Sequence, residues 1–260
     1  MPTDPVVISR AMSEAIDSGP EISVVVPVRD EADNIAPLIA EIVAALTPVC
    51  RFEIVYVDDG SRDATAERLR AARLADPRLR VVRHKQSYGQ SQAVASGVKA
   101  ARGAIIATID GDGQNDPADI PKLLARFLAG PEATRDAVLI AGRRARRRDS
   151  ATKRLSSRIA NAVRARMLGD NTPDTGCGLK IFTRAAFLDL PRFDHMHRFL
   201  PALMIRAGGK VESVAVNHRP RERGQSKYGM WDRLWVGIVD LFGVMWLQSR
   251  AVRPVIEPDP

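Results

Sequence analysis

Two aspartates stand two residues apart in the run Asp110-Gly111-Asp112-Gly113-Gln114, directly after the apolar stretch 104–109. Where a buried strand stops at such a pair, two carboxylates can reach one hard cation. Magnesium or manganese takes oxygen from one or two protein carboxylates and completes its shell with phosphate oxygens and water. A cation held there offsets the charge that develops on a departing diphosphate. Gly111 and Gly113 let a ligand approach the backbone closely, and Gln114 offers a further oxygen. By itself an Asp-x-Asp pair is equally a turn that caps the next helix. However, Asp58-Asp59-Gly60-Ser61 follows a second apolar run, 52–57, and Arg29-Asp30-Glu31 follows a third, 22–27.

The elements that must position these turns alternate. Apolar runs predict strands at 22–27, 52–57, 80–83 and 104–109, separated by helices at 33–46, 64–74 and 90–101. In 33–46 the residues Ile35, Leu38, Ile39, Ile42, Val43 and Leu46 recur at helical spacing. Such alternation implies parallel βαβ units with right-handed crossovers. Ligands of these sheets lie beyond the carboxyl ends of the strands, so the acidic turns converge on one edge. The second half is less regular: a helix at 117–128, a strand at 137–141, a basic helix at 152–168, strands at 179–183 and 210–216, a helix at 200–207 and a closing helix at 231–247. The expected organisation is a loose leader (1–20), one α/β domain (21–229), an amphipathic helix (230–250) and a tail (251–260).

With 260 residues, 45% hydrophobic and 27% charged, the chain has the composition of a globular protein rather than a disordered one. Its net charge of +8 suits nucleic acid, an anionic membrane or a phosphorylated substrate without choosing among them. Two cysteines, Cys50 and Cys177, make neither a disulfide framework nor a zinc site. No export signal is apparent. The longest apolar stretch, 234–247, is interrupted by Asp240 and as a helix rises only about 21 Å.

The order Val26-Pro27-Val28-Arg29-Asp30-Glu31, Val57-Asp58-Asp59-Gly60-Ser61, Asp110-Gly111-Asp112-Gly113-Gln114 resembles glycosyltransferase family 2 over about residues 21–230. Within it the chain resembles the polyprenyl-phosphate glycosyltransferases, such as dolichyl-phosphate mannosyltransferase. The resemblance implies a GT-A fold, Rossmann-like with a mainly parallel sheet. It implies that Pro27, Arg29, Glu31, Asp58 and Asp59 hold the base and ribose of a nucleotide-diphosphate sugar. Gln92, in the segment from Tyr88 to Ala93, joins that donor site together with Asp110, Gly111 and Asp112. Asp110, Asp112 and Gln114 would hold Mg2+ or Mn2+. Gly142-Arg143 resembles the family's Gly-Ser-Arg element, and Arg158 resembles an arginine that binds the acceptor phosphate, so the catalytic set is Asp110, Asp112, Arg143 and Arg158. A guanidinium fork suits a phosphate. His197, Arg219, Arg221, Ser226 and Lys227 complete the acceptor and phosphate contacts, the last four in a segment ending Gly224-Gln225-Ser226-Lys227 that resembles a loop covering the donor. The turn from Asp174 to Lys180 resembles a family turn in which Cys177 stands near a serine.

In the closing helix Trp231, Leu234, Trp235, Ile238, Leu241, Phe242, Met245 and Trp246 recur at helical spacing. That pattern fits a helix in a membrane interface, and equally a core helix or a contact in a homo-oligomer. The expected enzyme is an inverting transferase acting on a polyprenyl phosphate, peripheral on the cytoplasmic side of the cell membrane. An ionised phosphate acceptor requires no strong general base. The nearest alternative is a family 2 transferase using a glycan or lipid hydroxyl, which would need a carboxylate base such as Asp174 or Asp194. A basic nucleic-acid-binding module is a third reading, disfavoured because no aromatic residue interleaves with the run Arg143 to Arg148. A membrane scaffold without catalysis is a fourth.

Overall fold

A computed structural model describes residues 19–144, 164–220 and 230–252. Seven strands form one mixed sheet in the order β3-β2-β1-β4-β6-β5-β7. They are β1 (Ile22–Val28), β2 (Phe52–Asp58), β3 (Leu79–Arg83), β4 (Ile105–Thr108), β5 (Val138–Arg144), β6 (Lys180–Thr183) and β7 (Lys210–Val216). The helices are α1 (Ala32–Leu46), α2 (Thr65–Ala75), α3 (Gln90–Ala100), α4 (Ile120–Leu128), α5 (Arg184–Leu188), α6 (Leu200–Arg206) and α7 (Met230–Ser249).

The central strands are mostly apolar because both faces are covered, and the buried Ser23 of β1 donates to Glu53 of β2 at 2.6 Å. Val24 and Val26 of β1 point into one core with Ile35, Leu38 and Ile42 of α1 and Leu123 and Phe127 of α4. Val25, between them, points into a second core with Val94 and Val98 of α3, Leu203 of α6 and Val244 of α7. The two-residue period of a strand thus divides one run of valines between two helical layers.

The sheet is mainly parallel, as expected, and two details go beyond the sequence expectation. Strand β6 runs antiparallel to both β4 and β5, while β7 is parallel to β5. The five-residue helix α5 was too short to show a period. It is fixed by Thr183, whose hydroxyl accepts the Ala186 N–H, and by Phe187 stacked on Phe182 with ring centroids 5.3 Å apart.

Helix α7 packs by Val244, with Leu241, Met245 and Leu247 against the second core. Its other side leaves Val239, Phe242 and Trp246 56–60% exposed. Among the described residues no helix is long and apolar enough to cross a membrane. Of the basic helix expected at 152–168, residues 164–168 are described, and they are helical.

Candidate active site

The carboxyl ends of β1, β2 and β4 meet at one edge, as the parallel pairing of β1 with β2 and with β4 requires. Asp110 lies just past β4. It is fixed from below by the Ile109 N–H, which bonds the Val25 carbonyl at 3.1 Å. From the side, the Thr108 hydroxyl donates to the Gly178 carbonyl at 2.7 Å. Gly178 is required where it stands, because a Cβ there would run into the Asp110 carboxylate. Gly111 serves packing rather than ligand access: a Cβ would strike Val28 and the Pro27 carbonyl.

The Asp110 carboxylate accepts the Gln90 side-chain amide at 2.7 Å. Burial, and then the charge of Asp112, push its pKa up to about 6 against the opposing charges of Lys180 and Arg144. Asp112 accepts the Gln114 N–H at 3.1 Å. The two carboxylates therefore sense each other, but they line adjacent cavities. Asp110 lines one of about 280 Å³ with Pro27, Gln90, Lys180, His197 and Arg198. Asp112 lines one of about 340 Å³ with Asn34, Glu41 and Arg219.

Among the described residues no group of three or more His, Cys, Asp or Glu side chains could hold a metal ion. A chain-supplied cage is thus absent there, but two mutually repelling carboxylates are hard oxygen donors whose charge a divalent cation would offset. This donor set fits Mg2+ or Mn2+, ions that keep several waters and share their shell with substrate phosphates.

The cavity beside Asp110 carries two cations, Lys180 and Arg198, in its lining. Lys180 is 4% exposed, and its ammonium donates to the Cys177 carbonyl. Burial lowers its pKa, opposed by the charges of Cys177, Asp110 and Asp174. Arg144 forms a two-pronged bond to Asp174 at 2.7 Å on each side. His197 is held by Ser91: its backbone N–H donates to the Ser91 oxygen at 3.1 Å, and its Nδ1 lies 2.7 Å from that oxygen. In the tautomer in which the hydroxyl donates to Nδ1, the hydrogen of the neutral ring is on Nε2. Burial, then the charges of Arg198, Lys180 and His195, push the His197 pKa down to about 3.

Several sequence-predicted residues are held by bonds within the chain. Asp58 is fully buried, accepts the Ser61 N–H at 2.9 Å and lies 3.2 Å from Arg83. Asp59 accepts from Ser87 Oγ (2.7 Å), Tyr88 N–H (2.8 Å) and Gly89 N–H (2.9 Å), with His84 Nδ1 at 2.7 Å. Burial would raise its pKa, but those bonds outweigh it and hold it below the usual range. Arg29 donates to Ser87 at 3.0 Å, and Glu31 accepts the Asn34 amide at 2.6 Å. Arg219 is clamped between Glu41 and Asp116, each at 2.7 Å. Gln114 accepts the Arg219 N–H through its backbone carbonyl. Gln92 and Arg143 are exposed. Their neighbours Gln90 and Arg144 occupy the site instead, as do Lys180 and Arg198. Arg158, Arg221, Ser226 and Lys227 lie outside the described residues, as do residues 1–18 and 253–260.

A mostly parallel mixed sheet with flanking helices and a carboxylate pair at its carboxyl edge defines a GT-A type of fold. The Glycosyl transferase family 2 model matches residues 23–190. The dodecaprenyl-phosphate galacturonate synthase of Rhizobium johnstonii is 36% identical over 239 residues, which are 90% of this chain and 69% of the relative. An undecaprenyl-phosphate 4-deoxy-4-formamido-L-arabinose transferase of Edwardsiella ictaluri is 34% identical over 80% of this chain and 63% of its own length. The fold is shared by glucosyl-3-phosphoglycerate synthase from Mycobacterium tuberculosis, crystallised with Mg2+ and UDP: the TM-score is 0.62 at 21% identity, over 94% of this chain and 84% of that one. The chain belongs to glycosyl transferase family 2.

Proposed function

We propose that this chain moves a sugar from a nucleoside-diphosphate donor to a polyprenyl phosphate, with inversion at the anomeric carbon. Two relatives named for polyprenyl-phosphate chemistry support the acceptor class. The observation that carries the reading is the asymmetry of the cavity at Asp110. Among the described residues lining it, Asp110 is the one carboxylate, facing Lys180 and Arg198.

Asp110 and Asp112 would hold Mg2+ or Mn2+, which when bound supplies charge neutralisation for the leaving diphosphate. Gln90 orients the Asp110 carboxylate. The network of Arg29, Ser87 and Asp59 shapes the wall against which the donor's base and ribose would rest, with Asp59 as its anchor. Lowering of the barrier comes from positioning and preorganised charge rather than from a strong base. A hydroxyl acceptor would need such a base, and Asp174 is tied up by Arg144 while the neutral His197 is too weak a base at pH 7. An ionised phosphate oxygen needs none.

A lipid acceptor requires contact with a bilayer. The outward residues Ile238, Val239, Phe242 and Trp246 of α7 suit a helix lying in the interface on the cytoplasmic side. Transfer of radiolabelled sugar to undecaprenyl phosphate in detergent, with the product tested for release by mild acid, checks the reading. An acid-stable product, or no transfer with any nucleotide sugar, overturns it.

A further inference from the structure

We infer that Lys180 and Arg198, with the Nε2–H of His197, receive the phosphate of the acceptor. This assignment rests on the transferase reading and adds a role for Lys180, the last residue of the turn from Asp174 to Lys180, and for Arg198, neither of which the resemblance assigns.

Lysine is almost never fully buried without a partner. Lys180 is buried, yet its one hydrogen bond among the described residues goes to the neutral Cys177 carbonyl. An ammonium has three donors, so the environment leaves capacity for an anion. The adjacent Asp110 is the metal-binding candidate, and a cation there would draw its charge away from Lys180. Arg198 lines the same cavity, and the short 3-10 turn Met196–Arg198 presents it together with His197. The turn is pinned to the start of α3 by the two contacts of His197 with Ser91. With the histidine neutral and Nδ1 accepting from Ser91, Nε2 donates into the cavity. Two cations and a neutral donor around one cavity match a phosphate monoester.

The location fits in-line attack. A sugar hanging from a diphosphate at Asp110 places its anomeric carbon beside that carboxylate, and the attacking oxygen must lie about 3–3.5 Å from it. Lys180 can stand there because of register: it pairs directly with Thr108 across the antiparallel strands β4 and β6, two residues before Asp110. The acceptor oxygen forms the new bond to the anomeric carbon as the bond to the diphosphate breaks, and the electron pair leaves on the nucleoside diphosphate.

The test uses the full chain and its Lys180→Met and Arg198→Gln variants, titrated calorimetrically with farnesyl phosphate and with farnesol in detergent micelles. UDP and GDP are titrated alongside with manganese. Farnesyl phosphate binding should weaken at least tenfold in each variant, while nucleoside diphosphate affinity and the farnesol response stay unchanged. Unchanged farnesyl phosphate binding in a folded variant overturns the assignment and leaves the transferase reading standing. Absence of any nucleoside diphosphate binding in the wild type overturns the transferase reading itself. Loss of UDP-galacturonate binding with farnesyl phosphate binding intact also overturns the assignment, because it gives the two cations to a sugar carboxylate. Should Lys180→Met fail to unfold cooperatively, Arg198→Gln at the cavity wall decides alone.

Discussion

The turns at Asp59 and Asp110 begin alike: each aspartate lies just beyond a buried strand and precedes a glycine. Their surroundings are opposite. Asp59 is surrounded by two backbone N–H groups, a serine hydroxyl and a histidine, and its proton affinity falls. Asp110 receives one glutamine amide, sits near a second carboxylate, and its pKa rises to about 6. The supply of donors from the chain decides the difference. A carboxylate saturated by its own chain is a finished piece of the fold, and one left short is kept for a ligand.

The widest separation of the two turns should appear in catalysis. Asp112→Ala should lower sugar transfer by about 10³-fold, as loss of a preorganised charge at a reacting centre does, measured by initial rates with manganese, while the fold survives. Asp59→Ala should instead lower unfolding free energy by about 2–4 kcal/mol in urea, because buried donors lose a charged acceptor. Equal stability of the two variants would break the distinction.

His197 sharpens the contrast through pH. Its folded pKa of about 3 lies below its ordinary 6.5, so below pH 6.5 the unfolded chain binds more protons. Stability that is fully present above pH 6.5 should fall by about 1.4 kcal/mol per unit as pH drops toward 3. In His197→Gln this contribution should vanish from urea midpoints taken across that range.

Asp110 carries the opposite sign. Its folded pKa is raised, so the metal-free protein loses stability as pH rises from about 4 to about 6, and the loss is complete above that. Asp110→Asn should therefore raise metal-free stability at pH 7 by about 1–2 kcal/mol, and the gain should disappear as pH falls toward 4, where wild-type Asp110 is itself protonated. Stabilisation of the wild type by manganese, read as a thermal shift, should be lost in this variant. Last, Gln90→Ala should slow transfer about tenfold, whereas Gln92→Ala, two residues on and exposed, should leave the rate unchanged.

Much of this was legible in the sequence. The strands at 22–27, 52–57 and 104–109 were readable because strands covered on both faces are mostly apolar. The acidic edge followed from their parallel pairing. The antiparallel β6 was not readable, since four residues carry no sign of direction, and with it went Lys180, whose position depends on pairing with Thr108. Gln90 was passed over for Gln92 although a first-turn side chain leans back toward the helix N-terminus, here the sheet edge. Arg144 was passed over for Arg143 because the one-residue alternation of a strand decides which of two adjacent arginines faces the site, and no neighbouring motif fixes that phase. The bonds that hold Asp58 and Asp59 were not readable, because sequence shows the acids without the amides that surround them.

The reversed strand β6 has a consequence for how such a chain can diversify. A parallel strand delivers its end to the reactive edge, but β6 delivers its beginning, so the polypeptide enters the site through a turn that meets the first four strands at Thr108 and Asp110. What recognises the donor can stay fixed while what recognises the acceptor is rewritten. Exchanging residues 170–200 between relatives should therefore transplant acceptor choice onto an unchanged nucleotide preference.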